Sequence, residues 1–375
     1  MDTDVTEDQR ALLDVSSRFM EQSCPLAVVR DRGRRDRDFA ASYRRQAAEL
    51  GWFSMLVPEA FGGGCLSGNG GLDAALIAYK RGGLLQPGSF VGTNVVAYAV
   101  ATAGGEELRQ RVLPALLSGE VSASWAVASI GHGGALDGGV LAQPTGDGGL
   151  VLSGSKTAVQ DVDSSSWLLV TCQSPEGAAQ VLVAADAAGV TVTQLDSLDL
   201  SRGFAGVQFA GTVVPASALV GTPGATGELL DRQLAIAATL TAAESVGAMD
   251  HEFEMTLQYA KDRIAFGRPI GSFQAIKHLL ADTSLAVEMS KAVVVAAARS
   301  VGSEDGYGPQ AASIAKALVG EAAVELAQNC FQVFGGIGYT WEHDQHLYLR
   351  RLTTDSGLYG DAAWHREHLC QLSGR

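Results

Sequence analysis

From Gly227 onward the sequence runs in a few very long helical stretches, each stopped by glycine or proline. The first spans Leu229 to about Ile264, where Val246, Met249, Phe253 and Leu257 recur at helical spacing, and Gly267 and Pro269 end it. Ser272 is placed to cap a second, running to about Val301 before Gly302. Pro309 suits the first turn of a third, which runs to Phe334 and stops at Gly335-Gly336. A short helix follows over about Ala362 to Leu372. Helices this long can bury their apolar stripes only against one another, so residues 226–375 are expected to form an antiparallel four-helix bundle.

The rest of the chain reads differently. Residues 1–120 break into shorter helical runs: Glu7–Gln22, Phe39–Leu50, Leu72–Tyr79, Asn94–Ala103 and Glu106–Leu117. Between 121 and 225 come short β-rich runs separated by Gly, Asp and Pro, the spacing of a β-sandwich or barrel. The expected class is α+β: an N-terminal helical domain, a middle β domain and a C-terminal helical bundle.

With 375 residues, 47% of them apolar and 18% charged, the chain can bury two or three cores. The net charge of −14 argues against a nucleic-acid partner, which requires a basic surface. In the one basic run, Arg30 to Asp38, arginines alternate with aspartates, the pattern of a solvated turn. Five widely spaced cysteines without a CxxC suggest neither disulfides nor zinc. Met1 leads directly into a polar segment with no signal-peptide pattern, and apolar runs are interrupted before spanning length, so a cytoplasmic protein without membrane insertion is expected.

Three segments carry more specific information. One is Arg263-Ile-Ala-Phe266-Gly267-Arg-Pro-Ile-Gly271-Ser-Phe-Gln274; another is Gln332-Val-Phe-Gly335-Gly336-Ile-Gly338-Tyr339-Thr340. The third, less distinctive, is Val57-Pro58-Glu59-Ala-Phe-Gly62-Gly63. A guanidinium at a helix end can fork onto a diphosphate, an adjacent phenyl ring offers a flat apolar contact, Gln274 can hold ribose or adenine edges, and bare glycines expose backbone N–H groups to a phosphate or an adenine. Together and in this order the segments resemble the acyl-CoA dehydrogenase family along nearly the whole chain. The resemblance implies FAD as cofactor, held by Arg263, Phe266, Gln274, Gln332, Gly335, Gly336 and Gly338. It implies an acyl-CoA substrate undergoing α,β-desaturation, a homo- or hetero-tetramer, and electron-transfer flavoprotein as acceptor. In the family the Arg-x-x-Phe-Gly segment reaches FAD held mainly by a neighbouring subunit.

The sequence departs from the family pattern where the flavin ring and the base belong. The usual Thr-Glu-Pro-x-x-Gly-Ser-Asp loop is replaced by Ala128-Ser-Ile-Gly-His-Gly-Gly-Ala135, and the usual Trp-containing flavin contact by Lys156-Thr-Ala158-Val-Gln160-Asp161. The common position of the catalytic Glu is Tyr359, a poor base, and a minority position is Ala237. Glu244, among Ala and Gly, is the remaining candidate base if burial raises its pKa; the alternative is a structural carboxylate paired with an arginine. Asp361 and Glu342 are lesser candidates.

These losses match α2β2 assemblies of the family, in which one chain type keeps the flavin pocket and base while the other donates the Arg-x-x-Phe-Gly and Gly-Gly contacts. Other readings are a non-catalytic partner subunit and a flavin-dependent oxidase or monooxygenase on the same fold. Small residues such as Ala128 and Ala158 point to a branched or bulky acyl group. His343/His346 and His365/His368 are helically spaced but have no third ligand, so polar contacts are expected of them rather than metal. Lys156 is expected to be a solvated hairpin lysine, and Trp125 and Trp167 to pack the sheet core.

Overall fold

The computed structural model describes residues 5–30, 37–127, 138–303 and 306–374. Six helices open the chain: α1 (Glu7–Ser23), α2 (Leu26–Arg30), α3 (Arg37–Glu49), α4 (Gly70–Gly83), α5 (Phe90–Ala103) and α6 (Glu106–Leu117). Thr6 and Gln9 form a reciprocal capping box at the start of α1. The Gln9 amide also donates to buried Asp73 of α4 at 2.6 Å, docking the first helix on the fourth. The Pro58 segment turns tightly at Gly62 (φ 84°) and Gly63, where a Cβ would lie 1.9 Å from the Val57 carbonyl oxygen.

The middle part is one seven-stranded sheet: β1 (Ala123–Ala126), β2 (Val140–Pro144), β3 (Leu150–Gln160), β4 (Trp167–Ser174), β5 (Gly177–Ala184), β6 (Val190–Leu195) and β7 (Phe204–Val214). The order is β1-β4-β2-β3-β7-β6, with β5 on β4; β1 and β2 pair with β4 in parallel and the other pairs are antiparallel. The sheet has its own core, including Leu152, Leu168, Val181 and Phe209. Trp125 is buried, but on the side of the large helical core, with its indole N–H on Thr171 at 3.1 Å. Trp167 also borders that helical core, a correction to the expectation that both tryptophans pack the sheet interior.

The C-terminal part packs α7 (Gly227–Asp262), α8 (Gln274–Val301), α9 (Gly308–Phe334), α10 (Gln345–Gly357) and α11 (Ala362–Ser373). A two-residue ladder, β8 (Ile264–Ala265) with β9 (Arg268–Pro269), bridges α7 and α8. α10 is one helix more than the periodicity indicated. Pro309 stands in the first turn of α9 as expected, whereas Ser272 does not cap α8: its hydroxyl donates to the Pro269 carbonyl at 2.7 Å.

One helix crossing sets the interior. A Cβ on Gly82 of α4 would lie 1.8 Å from the Glu244 carbonyl oxygen, and one on Gly247 of α7 would lie 1.8 Å from that of Tyr79. α4 and α7 therefore touch backbone to backbone, which only glycine permits. The crossing brings Arg81 and Glu244 together.

Candidate functional site: an open edge and a closed interior

The two glycine- and arginine-bearing motifs meet at one end of the helical part. The ring of Tyr259, near the end of α7, lies 4.8 Å from that of Phe334, the last residue of α9. Arg263 follows α7 and is exposed; its carbonyl accepts from Ile270 N–H at 2.8 Å, closing the β8–β9 turn. At the tip, Phe266 and Gly267 are both left-handed (φ 53° and 78°), and Phe266 is 95% exposed. Phe266 has an edge contact with Phe273 at 6.3 Å, and the Arg268 guanidinium lies 4.1 Å above the Phe273 ring. Gln274 and Gln332 are exposed. Gly335 ends α9 at φ 61°, and a Cβ on Gly335 or Gly336 would meet nothing within 4 Å. Gly338 is different: it is buried, with Phe331 and Phe334 within about 3.5 Å of where a Cβ would stand, so it packs the turn rather than baring its backbone.

This end of the helical part thus carries an exposed guanidinium, a 95% exposed aromatic ring and two bare glycines, groups whose chemistry suits a dinucleotide. Exposed aromatics of this size are costly unless something covers them. Tyr339 (79% exposed) and Trp341 (53%), which follow the glycine turn in the chain, are exposed as well.

The interior is closed. Arg81 Nε lies 3.2 Å from Glu244 Oε1, while Arg202 Nη2 and Arg351 Nη2 lie 2.5 and 3.0 Å from Oε2. Arg202 Nη2 is also 2.8 Å from Asp355 Oδ1, Arg351 Nε is 3.2 Å from Asp355 Oδ2, and Asp199 stands 3.9 Å from Arg202 Nε. Arg202 further donates to Gln160 Oε1 at 2.9 Å and Arg351 to Ser201 Oγ at 2.7 Å. All six ionic side chains are 2% exposed or less. Three guanidiniums thus face three carboxylates where the N-terminal helices, the sheet and the bundle meet.

Burial alone would raise the Glu244 pKa. The Arg202, Arg351 and Arg81 charges outweigh it and hold the carboxyl below its ordinary value. A general base needs the opposite shift, so Glu244 is corrected from candidate base to the centre of an ion network. Asp361 caps α11 by accepting from Trp364 N–H at 2.8 Å, and Glu342 is exposed.

Tyr359 is partly buried, left-handed (φ 55°), and stacked on Trp125 with centroids 5.9 Å apart and planes 15° from parallel. Burial, with Asp161, Glu244 and Asp355 nearby, raises its phenol far above the ordinary range despite Arg202. Its turn is gripped from behind. Lys316 Nζ donates to the Ser356 and Gly360 carbonyls at 3.0 and 2.8 Å, and His365 Nε2 contacts the Tyr359 carbonyl at 3.0 Å. His365 Nδ1 and His368 Nδ1 both meet Ser313 Oγ, whereas His346 is buried and stacked on Trp341 at 4.9 Å.

Lys156 is buried with Nζ on the Gly138 carbonyl at 2.5 Å, a correction to its solvated reading. Ala128–Ala135 and most of the Arg30–Asp38 run lie outside the described residues; Arg30 itself is paired with Asp344. Arg202, which donates to Gln160 at the end of β3, also acts electrostatically on Tyr359 together with Glu244 and Asp355, so the ion network borders both positions. Sequence reasoning missed Arg81, Arg202, Arg351 and Asp355. The one available signal was Glu244 itself, since a charge on a helix of Ala and Gly requires buried cations.

Family models match both helical parts of the chain. The acyl-CoA dehydrogenase N-terminal domain matches residues 6–120 and the C-terminal domain residues 228–371. Acyl-CoA dehydrogenase IpdE2 of Mycolicibacterium smegmatis is 30% identical over 340 residues, 88% of this chain and 86% of that one. The chain belongs to the acyl-CoA dehydrogenase family. That family comprises FAD-dependent oxidoreductases. Acyl-CoA dehydrogenase FadE34 of Mycobacterium tuberculosis is 35% identical over 327 residues, 85% of this chain but 40% of FadE34, so the chain spans about two fifths of that relative's length. Among solved structures, the ChsE4-ChsE5 complex of Mycobacterium tuberculosis is 25% identical with a TM-score of 0.88 over 100% of this chain and 99% of that one. A Tcur3481-Tcur3483 steroid acyl-CoA dehydrogenase variant is 26% identical with a TM-score of 0.85 over 98% of each. No helix among the described residues is long and apolar enough to cross a membrane.

Proposed function

We propose that this chain is one of two unlike subunits of a FAD-dependent acyl-CoA dehydrogenase that desaturates a bulky acyl-CoA thioester. It supplies the dinucleotide-gripping edge, and the partner supplies the flavin-ring pocket and the base. The carrying observation is the contrast between an open edge at Arg263, Phe266, Gly335 and Gly336 and an interior filled by the Glu244 ion network.

FAD, when bound, supplies the hydride acceptor of the reaction. The part of this chain is to hold it. Arg263 forks onto the diphosphate, Phe266 covers an apolar face, Gln274 and Gln332 take polar edges, and Gly335 and Gly336 offer backbone N–H groups. Neither Tyr359 nor Glu244 removes a proton here.

The two-chain assembly has further support. Two similar structures carry paired names, ChsE4-ChsE5 and Tcur3481-Tcur3483, and FadE34 is long enough for a second unit of this size beside the matched one. The word steroid in one of those names supports a bulky, ring-bearing acyl group. Electron-transfer flavoprotein is the proposed acceptor, with steady oxygen consumption the sign of an oxidase instead. The test is expression of this chain alone and together with a second acyl-CoA dehydrogenase-like chain, followed by flavin counting. One FAD per pair, and little or none on this chain alone, is the expected result. A yellow, active homotetramer with one FAD per chain refutes the proposal.

A further inference from the structure

Glu252 lies on α7, two turns beyond Glu244, and is fully buried. Among the described residues, its one side-chain hydrogen bond is from Gln345 Nε2 to Oε1 at 2.8 Å, and no cation offsets its burial. The same Gln345 nitrogen donates to the Ala327 carbonyl of α9 at 3.1 Å. Gln345 opens α10, so this one amide ties together the two ends of segment 328–344, which contains the whole Gly335–Tyr339 turn. The tie continues inward. Gln345 N–H donates to His343 Nδ1 at 3.2 Å, and the His343 ring lies 4.4 Å from Phe334, the residue before Gly335.

We propose that Glu252, in its protonated form and acting through Gln345, is a positioning residue that holds the Gly335–Gly336 turn in its cofactor-gripping shape. The inference rests on the reading of that turn as a dinucleotide contact.

The donor–acceptor pattern supports a neutral acid. Glu252 Oε2 and Gln345 Oε1 are the two atoms of this pair left without a partner. A proton on Oε2 gives each group one donor and one acceptor, the complement of a carboxamide. A carboxylate instead leaves a buried charge supported by one amide. Burial pushes the Glu252 pKa up to about 8, with the Gln345 bond pulling slightly the other way. The surrounding titratable groups do not offset this. Cys330 of α9 and Tyr348 of α10 are both kept neutral by burial, and α4 and α8 direct Tyr79 and Lys291 to the neighbouring Asp250. Burial also pushes His343 down, which favours the neutral ring whose Nδ1 accepts from Gln345 N–H.

A raised acid pKa favours the closed form fully below the ordinary carboxyl value and loses that advantage as pH rises to about 8. Opening of segment 328–344 is therefore expected to grow by up to about tenfold per pH unit across that window and then level off. Hydrogen exchange of the full chain, read by mass spectrometry and corrected for intrinsic rates, measures this without flavin or partner. E252Q, neutral at every pH, is expected to flatten the profile in 328–344, and Q345L to open the segment at all pH values. If E252Q and wild type share one profile in this segment, or Q345L leaves it protected, the positioning role is wrong. FAD retention by the purified two-chain complex forms the second arm, expected to decline with rising pH in wild type and to stay level in E252Q. Loss of flavin from every preparation while the exchange profile still shifts would overturn the donation reading and leave the positioning role standing.

Discussion

Replacing Arg202 by Met tests the closed interior most directly. Arg202 lies 2.5 Å from Glu244, 2.8 Å from Asp355 and 3.9 Å from Asp199, and it donates to Gln160 at 2.9 Å. Methionine approximates the apolar stem, so packing changes little, but the network is left with two guanidiniums facing three carboxylates. Removing one partner from a buried ion set costs about 3–5 kcal/mol, because the stranded charge has no water to return to. R202M is therefore expected to lose about that much in urea unfolding followed by tryptophan fluorescence. The loss should be felt across the whole chain, since the network joins α4, the segment before β7, α7 and α10. Adding E244M restores a two-against-two balance. The double variant is expected to recover at least about 2 kcal/mol, because apolar replacement of a buried pair is often neutral. The exposed Arg366–Glu321 pair is the control: R366M should cost no more than about 1 kcal/mol. If R202M loses less than about 1 kcal/mol, or the double variant is as unstable as the sum of its parts, Glu244 is not held by these charges. The question of its chemistry would then reopen.

Other expectations follow from the same geometry. G247A places a Cβ 1.8 Å from the Tyr79 carbonyl oxygen; it should cost about 3 kcal/mol or prevent folding, checked by soluble yield and circular dichroism. F266A and R263A should change stability by no more than about 0.5 kcal/mol, since both side chains are exposed. In the two-chain complex R263A should weaken FAD binding by roughly tenfold to a hundredfold, the worth of a charge-assisted hydrogen bond, read by flavin release on dilution. Burial, followed by the nearby Lys316 charge, pushes His365 down to about 3. Only the unfolded chain gains that proton between pH 6.5 and 3, so stability falls by about 1.4 kcal/mol per pH unit over this window. H365N should flatten that part of the acid limb in denaturation curves taken at pH 6, 5 and 4.

Local rules reached the helical parts because their signals are local. Pro309 and Gly335 fix the ends of α9 by backbone chemistry alone. α10 escaped because Gln345, His346, Tyr348 and Arg351, polar by type, are buried beside Leu347 and Leu352, so no apolar stripe marks its face. No β-rich run marks β2 in the sequence, because it alternates over only five residues and ends at Pro144. At the site, the motif residues were legible as a set, but burial was not: Gly336 is bare and Gly338 is packed, although both stand in one glycine turn. The ion network was invisible because Arg81, Arg202, Glu244 and Arg351 are far apart in sequence and meet only where α4, α7, α10 and the segment before β7 pack together.

Helix α7 shows how surroundings, rather than residue type, decide what a charge does. Glu244 and Glu252 are eight residues apart, on the same helix and equally hidden from water. Three guanidiniums surround the first and it stays ionised, whereas the second meets one amide and keeps its proton to about pH 8. Arg263, just past the end of the same helix, is exposed to solvent. Each role depends on the one before it along the helix. An ionised Glu244 binds the three parts of the chain into one body, so the far end of α7 is held in place. A neutral Glu252 then fixes the glycine turn relative to that end. With both in force, Arg263 and Gly336 are expected to keep a constant separation, the condition for the proposed grip on a dinucleotide shared with another chain. R202M should therefore loosen FAD in the two-chain complex even though Arg202 is buried far from the edge. The comparison that decides it is flavin retention by R202M and by the R202M/E244M double variant in mild urea, well below either unfolding midpoint. Recovery of flavin with recovery of stability supports the chain of dependence; equal retention by wild type and R202M breaks it.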